Sequence, residues 1–145
     1  MALTRANVEF LMVARLSPLL AAAGLAVTVL GANADLNGPI ARAVRDLGYT
    51  VISDVLVADA DVAQITDAQI SEFLDACELH TLEAILGHLD DVDIKVGPRS
   101  EKLSQLATQA ERKIKRLLAA MGTAYGYGMA TLEAGYITLD FAEHE

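Results

Sequence analysis

The sequence predicts a mainly α-helical protein: a small bundle of about four helices with short extended segments and an extended C-terminal strand or tail. Apolar residues recur at three- and four-residue spacing over long stretches, the period of a helix with one buried face. Helix-start residues precede these stretches and glycines follow them. Alternation of the strand type is confined to short runs. With 145 residues, 53% hydrophobic and 21% charged, the chain fits one hydrophobic core. We read residues 1–129 as a helical body and 130–145 as an extended tail.

The first helix is expected from Thr4 to Gly24, with Val8, Leu11, Met12, Leu16, Leu19 and Leu20 as its buried stripe. Thr4 serves as N-cap and Gly24 as stop. Pro18 is expected to kink or split it, because the ring displaces the carbonyl four residues back. Leu16 to Ala34 carries no charge, and Ala32-Asn33-Ala34 has the form of a signal-peptidase site. Glu9, Pro18, Gly24 and the change to β-branched residues at Thr28 favour a buried helix followed by an extended segment. Leu25 to Leu30 reads as strand or linker, and Asn33 to Asn37 as loop.

A second helix is expected from about Gly38 to Leu47, capped by Asn37 or Gly38, with Pro39 in its first turn and Gly48 past its end. Its stripe is Ile40, Val44 and Leu47. Tyr49 to Ala63 reads as extended structure or a short helix. The third helix opens on a Thr66-Asp67-Ala68-Gln69 capping box. It carries two stripes, Ile70, Phe73, Leu74, Cys77, Thr81 and Ile85, and Leu79, Leu82, Leu86 and Leu89. Two stripes mean contact on two sides, so this helix is central, ending near Gly87 to Leu89. Asp90 to Gly97 is a connector. The fourth helix, about Arg99 to Met121, has a narrow seam of Leu103, Leu106, Ala110, Ile114, Leu117 and Met121. In the tail, Tyr136, Thr138 and Asp140 alternate with Ile137, Leu139 and Phe141, the pattern of a strand.

Charge is sorted along the chain. Thr50 to Ile94 holds eleven carboxylates and no Lys or Arg, whereas Lys95 to Arg116 holds seven cations and two carboxylates. Such blocks either neutralise one another within a subunit or meet between copies, head to tail. Asp67, Glu72 and Asp75 on one side, and Arg112, Lys113, Lys115 and Arg116 on the other, are the candidate subunit contacts. A net charge of −9 argues against sequence-independent nucleic-acid binding. A single cysteine, Cys77, allows no intramolecular disulfide.

No catalytic, cofactor or metal site is expected. Cys77, His80, Glu83 and His88 share one helix, but a closed metal site needs donors from a second element. A cysteine on an apolar stripe acts more often as a small hydrophobe. Asp91-Val92-Asp93-Ile94-Lys95 opens like a calcium loop, yet lacks the glycine at the sixth place, and Lys102 stands where a glutamate is required. The glycines from Gly122 to Gly128 follow a helix, whereas a phosphate loop precedes one.

Asp35-Leu36-Asn37-Gly38-Pro39-Ile40, Leu47-Gly48-Tyr49, Val92-Asp93-Ile94-Lys95-Val96-Gly97-Pro98-Arg99, Leu103-Ser104-Gln105-Leu106 and the Gly135 to Phe141 segment carry a resemblance in layout. The chain resembles the head–tail connector adaptors, or head-completion proteins, of tailed bacteriophages. The resemblance implies a non-enzymatic virion protein, assembled in the host cytoplasm. It further implies a homo-oligomeric ring, commonly dodecameric, between the capsid portal and the stopper or tail, with no membrane partner. It also implies that Tyr136, Ile137, Thr138, Leu139, Asp140 and Phe141 dock onto the portal. The alternatives are a small acidic protein-binding module acting as monomer or dimer, and an enzyme or metal protein built on Cys77 and His80.

Overall fold

The computed structural model describes residues 3–25, 33–93 and 97–125, except for the side chains of 90–93 and 97–104. The described chain is a small helical bundle. Its elements are α1 (Arg5–Ala22), α2 (Asn37–Asp46), the single turn α3 (Asp59–Val62), α4 (Ile70–Asp93) and α5 (Gly97–Tyr125). Short 3-10 turns at Ala34–Leu36 and Asp67–Gln69 lead into α2 and α4. Among the described residues there is no strand. The expected strand at 136–141, and nearly all of the segment from Leu25 to Leu30, lie outside the described residues.

Helix α1 starts as its sequence predicts: the Thr4 hydroxyl accepts the Asn7 amide at 3.2 Å. Pro18 does not split it, and the helix is continuous to Ala22. Pro18 and Ala14, whose carbonyl loses its usual donor, are both exposed, so the freed carbonyl lies on the solvent side of the helix. Leu16, Leu19 and Leu20 are buried on the other side and hold the axis. Gly24 and Gly48 follow α1 and α2 with φ of 78° and 91°, the left-handed conformation that glycine adopts without a Cβ clash.

Two further expectations are corrected. Thr66 does not cap through its side chain: its hydroxyl donates to Gln69 Oε1 at 3.1 Å, and the Gln69 amide bonds the Thr66 carbonyl at 2.9 Å. The turn tightens to 3-10 geometry in place of a capping box. Helix α4 also runs past Gly87 to Asp93, and α5 passes Gly122 to reach Tyr125. Packing outweighs the modest cost of glycine within a helix. Asp91 and Asp93 lie in the last turn of α4, not in an ion-binding loop.

Helix α4 is central, as its two stripes predict, and packs against α1, α2 and α5. One core cluster joins Val8 and Met12 of α1, Leu36, Ile40 and Val44, Val57, Val62 and Ile65, Phe73 and Cys77 of α4, and Met121 of α5. The other joins Leu16, Leu19, Leu20 and Leu25 to Leu82, Ile85 and Leu89, with Leu106 of α5 against it. Thus the start of α4 meets the end of α5, and the end of α4 meets the earlier part of α5. The two form an antiparallel hairpin.

Candidate functional site

Arg5 and Glu9 lie one turn apart on the buried side of α1, in line with Val8, Met12 and Leu16. Both are almost completely buried. Arg5 Nη1 contacts Glu9 Oε2 at 3.2 Å. Arg5 Nη2 donates to the Asn33 carbonyl at 2.8 Å and to Asn37 Oδ1 at 3.1 Å. Glu9 Oε2 also accepts the Asn33 amide at 3.0 Å. Burial lowers the Arg5 pKa, and the Glu9 carboxylate opposes that shift. Pairing and hydrogen bonding are what make two charges tolerable in this interior.

The network continues outward. Asn37 Nδ2 donates to the Val55 carbonyl at 2.6 Å, and Asn37 Oδ1 accepts the Val57 amide at 3.4 Å. The Asn37 side chain therefore grips the 50–58 loop as a neighbouring strand would. Gln64 Nε2 donates to the Thr50 carbonyl at 2.8 Å, Ser53 Oγ accepts the Val55 amide at 3.1 Å, and Arg45 pairs with Asp54. Asp59, just beyond the loop, accepts the Arg5 amide at 2.8 Å. Val57 turns into the core and Val51 packs against it. Ile52, Val55 and Leu56 turn outward and are 97%, 81% and 64% exposed. The loop is thus tethered along its backbone while three large aliphatic side chains face water.

Among the described residues, no ion pair joins the acidic side chains of α4 to the basic side chains of α5. Asp75 and Glu78 meet Arg15 of α1 at 3.4 and 3.2 Å, and Tyr125 donates to Asp75 Oδ2 at 3.1 Å. Asp67 is exposed and Glu72 half-buried. Arg112, Lys113, Lys115 and Arg116 are all exposed and make no ion pair among the described residues. Asp75, one of the candidate subunit contacts, is thus engaged within the subunit by Arg15 of α1 and Tyr125 of α5. The tail residues 136–141 lie outside the described residues.

Cys77 and His80 do not form a nucleophile–base pair. Cys77 is fully buried, and burial pushes its thiol well above the ordinary value. His80 turns toward α2: Nε2 lies 2.5 Å from Asp46 Oδ2 and Nδ1 lies 3.0 Å from Glu83 Oε1. A cleft of about 400 Å³ beside it is lined by Gly38, Pro39, Arg42, His80, Glu83 and Ala84. Among the described residues no group of three or more His, Cys, Asp or Glu is disposed to hold a metal. No described helix is long and apolar enough to cross a membrane.

Desolvation lowers the His80 pKa, but its bonds to Glu83 and Asp46 outweigh it, and the net shift is upward from 6.5. Glu83 is shifted down from 4.5, chiefly by the His80 bond. The sign follows from linkage. A raised histidine stabilises fully below its unfolded value and loses that contribution as pH rises through the folded value. The lowered glutamate contributes above 4.5 and loses it as pH falls through its folded value. Urea unfolding should therefore show stability falling as pH rises above about 6.5, the ordinary histidine range. His80→Gln should flatten that slope; an unchanged slope would remove His80 as its source.

Comparison with known proteins finds no family model, no curated protein and no solved structure that matches this chain. The functional reading therefore rests on the surfaces themselves. Sequence reasoning missed the buried network and the exposed loop. The signal for the first was present: Arg5 and Glu9 fall on the apolar stripe, four residues apart and opposite in sign.

Proposed function

We propose that this chain is a non-enzymatic assembly protein, an adaptor that joins the capsid portal of a tailed bacteriophage to its stopper or tail as a ring of copies. The observation that carries the reading is the basic outer face of α5, exposed and without ion pairs among the described residues, in a chain whose helix α4, just before it, is strongly acidic. A closing ring needs two different, complementary patches on each subunit. In this reading residues 136–141 dock onto the portal by adding a strand to it.

The test is capture on a portal ring, read by co-sedimentation and electron microscopy. The full chain should be captured. Truncation after Gly135 should leave the far-UV helical signal intact and abolish capture. Failure of the full chain to bind any portal ring would overturn the adaptor reading. The exposed Ile52, Val55 and Leu56 also suit a second reading, an acidic protein-binding module acting as monomer or dimer. Formation of rings on the portal separates the two.

A further inference from the structure

We propose that His80 is a pH-operated latch: as an imidazolium it ties the last turn of α2 to α4, and losing that charge slackens the turn and the entry to the 50–58 loop. The latch works within one chain, whichever partner the chain meets.

Two carboxylates share one ring. His80 is almost completely buried, with Nε2 2.5 Å from Asp46 Oδ2 and Nδ1 3.0 Å from Glu83 Oε1. An imidazolium donates from both nitrogens and satisfies both carboxylates. A neutral ring keeps one N–H and turns a lone pair toward the other carboxylate. The cleft beside Gly38, Pro39 and Arg42 brings water to the edge of the ring and gives the proton a route out. The charges that act on the ring are those of Asp46 from α2 and Glu83 from α4 itself. Arg42 of α2 acts on Glu83, burial keeps the Cys77 thiol neutral, and Arg15 of α1 is engaged with Asp75 and Glu78. His88, further along α4, and the charged side chains of α5 from Glu111 to Arg116 are exposed.

Of the two bonds, only that to Asp46 joins two helices. Asp46 is the last residue of α2, where its carboxylate meets the negative end of the helix dipole. The imidazolium offsets that repulsion, and the neutral ring does not, whichever nitrogen keeps the proton. The turn held in this way carries the entry to the loop. The amides of Leu47, Gly48 and Tyr49 bond the carbonyls of Ala43, Arg45 and Val44 at 3.3, 2.9 and 3.2 Å, and Arg45 pairs with Asp54. Gln64 and Gln69 also hold Thr50 and Tyr49, so the entry slackens without coming free. The exit is fastened at the other end of α2, by Asn37 to Val55 and Val57. Loss of the His80 charge therefore acts on one end of the loop, the end that bears the exposed Ile52.

Hydrogen exchange of the full chain, corrected for the pH dependence of chemical exchange, tests the latch between about pH 5.5 and 8.5, on either side of the histidine range. Protection of the Leu47, Gly48 and Tyr49 amides should fall by about tenfold at the higher pH, the scale of one weakened charge-assisted hydrogen bond, while the Val57 amide keeps its protection. The loosening should share its midpoint with the nitrogen NMR shifts of the His80 ring, which follow the proton directly. In His80→Gln and in Asp46→Asn, protection of the three amides should not change with pH. Unchanged protection in the wild type, or loosening that persists in His80→Gln, would overturn the latch. Equal loss at Val57 would show that the charge supports the whole fold and not this turn, and would also overturn it. A midpoint apart from that of the imidazole would do the same, and that comparison needs no variant, so it decides even where His80→Gln does not fold.

Discussion

Arg5→Ala is expected to lower the stability of the fold by about 3–5 kcal/mol, the range for removing one partner of a buried ion pair. The variant leaves Glu9, which is fully buried, facing Asn33 without its cation. It also strips a donor from the Asn33 carbonyl and from Asn37. Urea unfolding monitored by circular dichroism measures the loss. Replacing both members, Arg5→Met with Glu9→Leu, should recover much of it, because an apolar pair needs no desolvated charge. If the double variant is as unstable as Arg5→Ala, the cost lies in the lost hydrogen bonds to Asn33 and Asn37, and not in the stranded carboxylate.

Asn37→Ala is the second large effect, with an expected loss of about 2–4 kcal/mol from two buried polar groups and one partly buried, left unpaired at about 1–3 kcal/mol each before relaxation. The groups affected are the Val55 carbonyl, the Val57 amide and one Arg5 nitrogen. The loss should be local as well as global. Hydrogen exchange at the Val57 amide should accelerate more than exchange at Phe73 or Leu82, which sit in the central helix. Uniform acceleration along the chain would show that Asn37 supports the whole fold and not the loop in particular. Because Asn37 and Arg5 share a bond, their effects should be non-additive in a double-mutant cycle.

The helices were legible because each has its own local period. The two stripes of α4 foretold its burial on two sides, and the narrow seam of α5 foretold a helix with one face left outside. Pro18 does not split its helix, and the carbonyl that loses its donor lies on the exposed side. Thr66 misled because its hydroxyl had a second partner in the Gln69 side chain. The buried network was harder to read. Arg5 lies 28 and 32 residues before Asn33 and Asn37, and no periodicity links residues that far apart. The loop was read as extended or a short helix from its valines and leucines, and nothing local distinguishes Val57, which turns inward, from Val55, which turns out. Asn37 decides that, by gripping the backbone between them.

Cys77 gives the molecule a built-in clock. It is the chain's only thiol, fully buried on α4 in the cluster where α1, α2 and α5 also meet. A thiol reagent in solution cannot reach it until α4 separates from its neighbours. Its labelling rate therefore counts openings of the bundle, with no probe added and no residue changed. Neighbours that clamp the bundle in a larger assembly would slow the count, so one thiol would report how tightly each subunit is held.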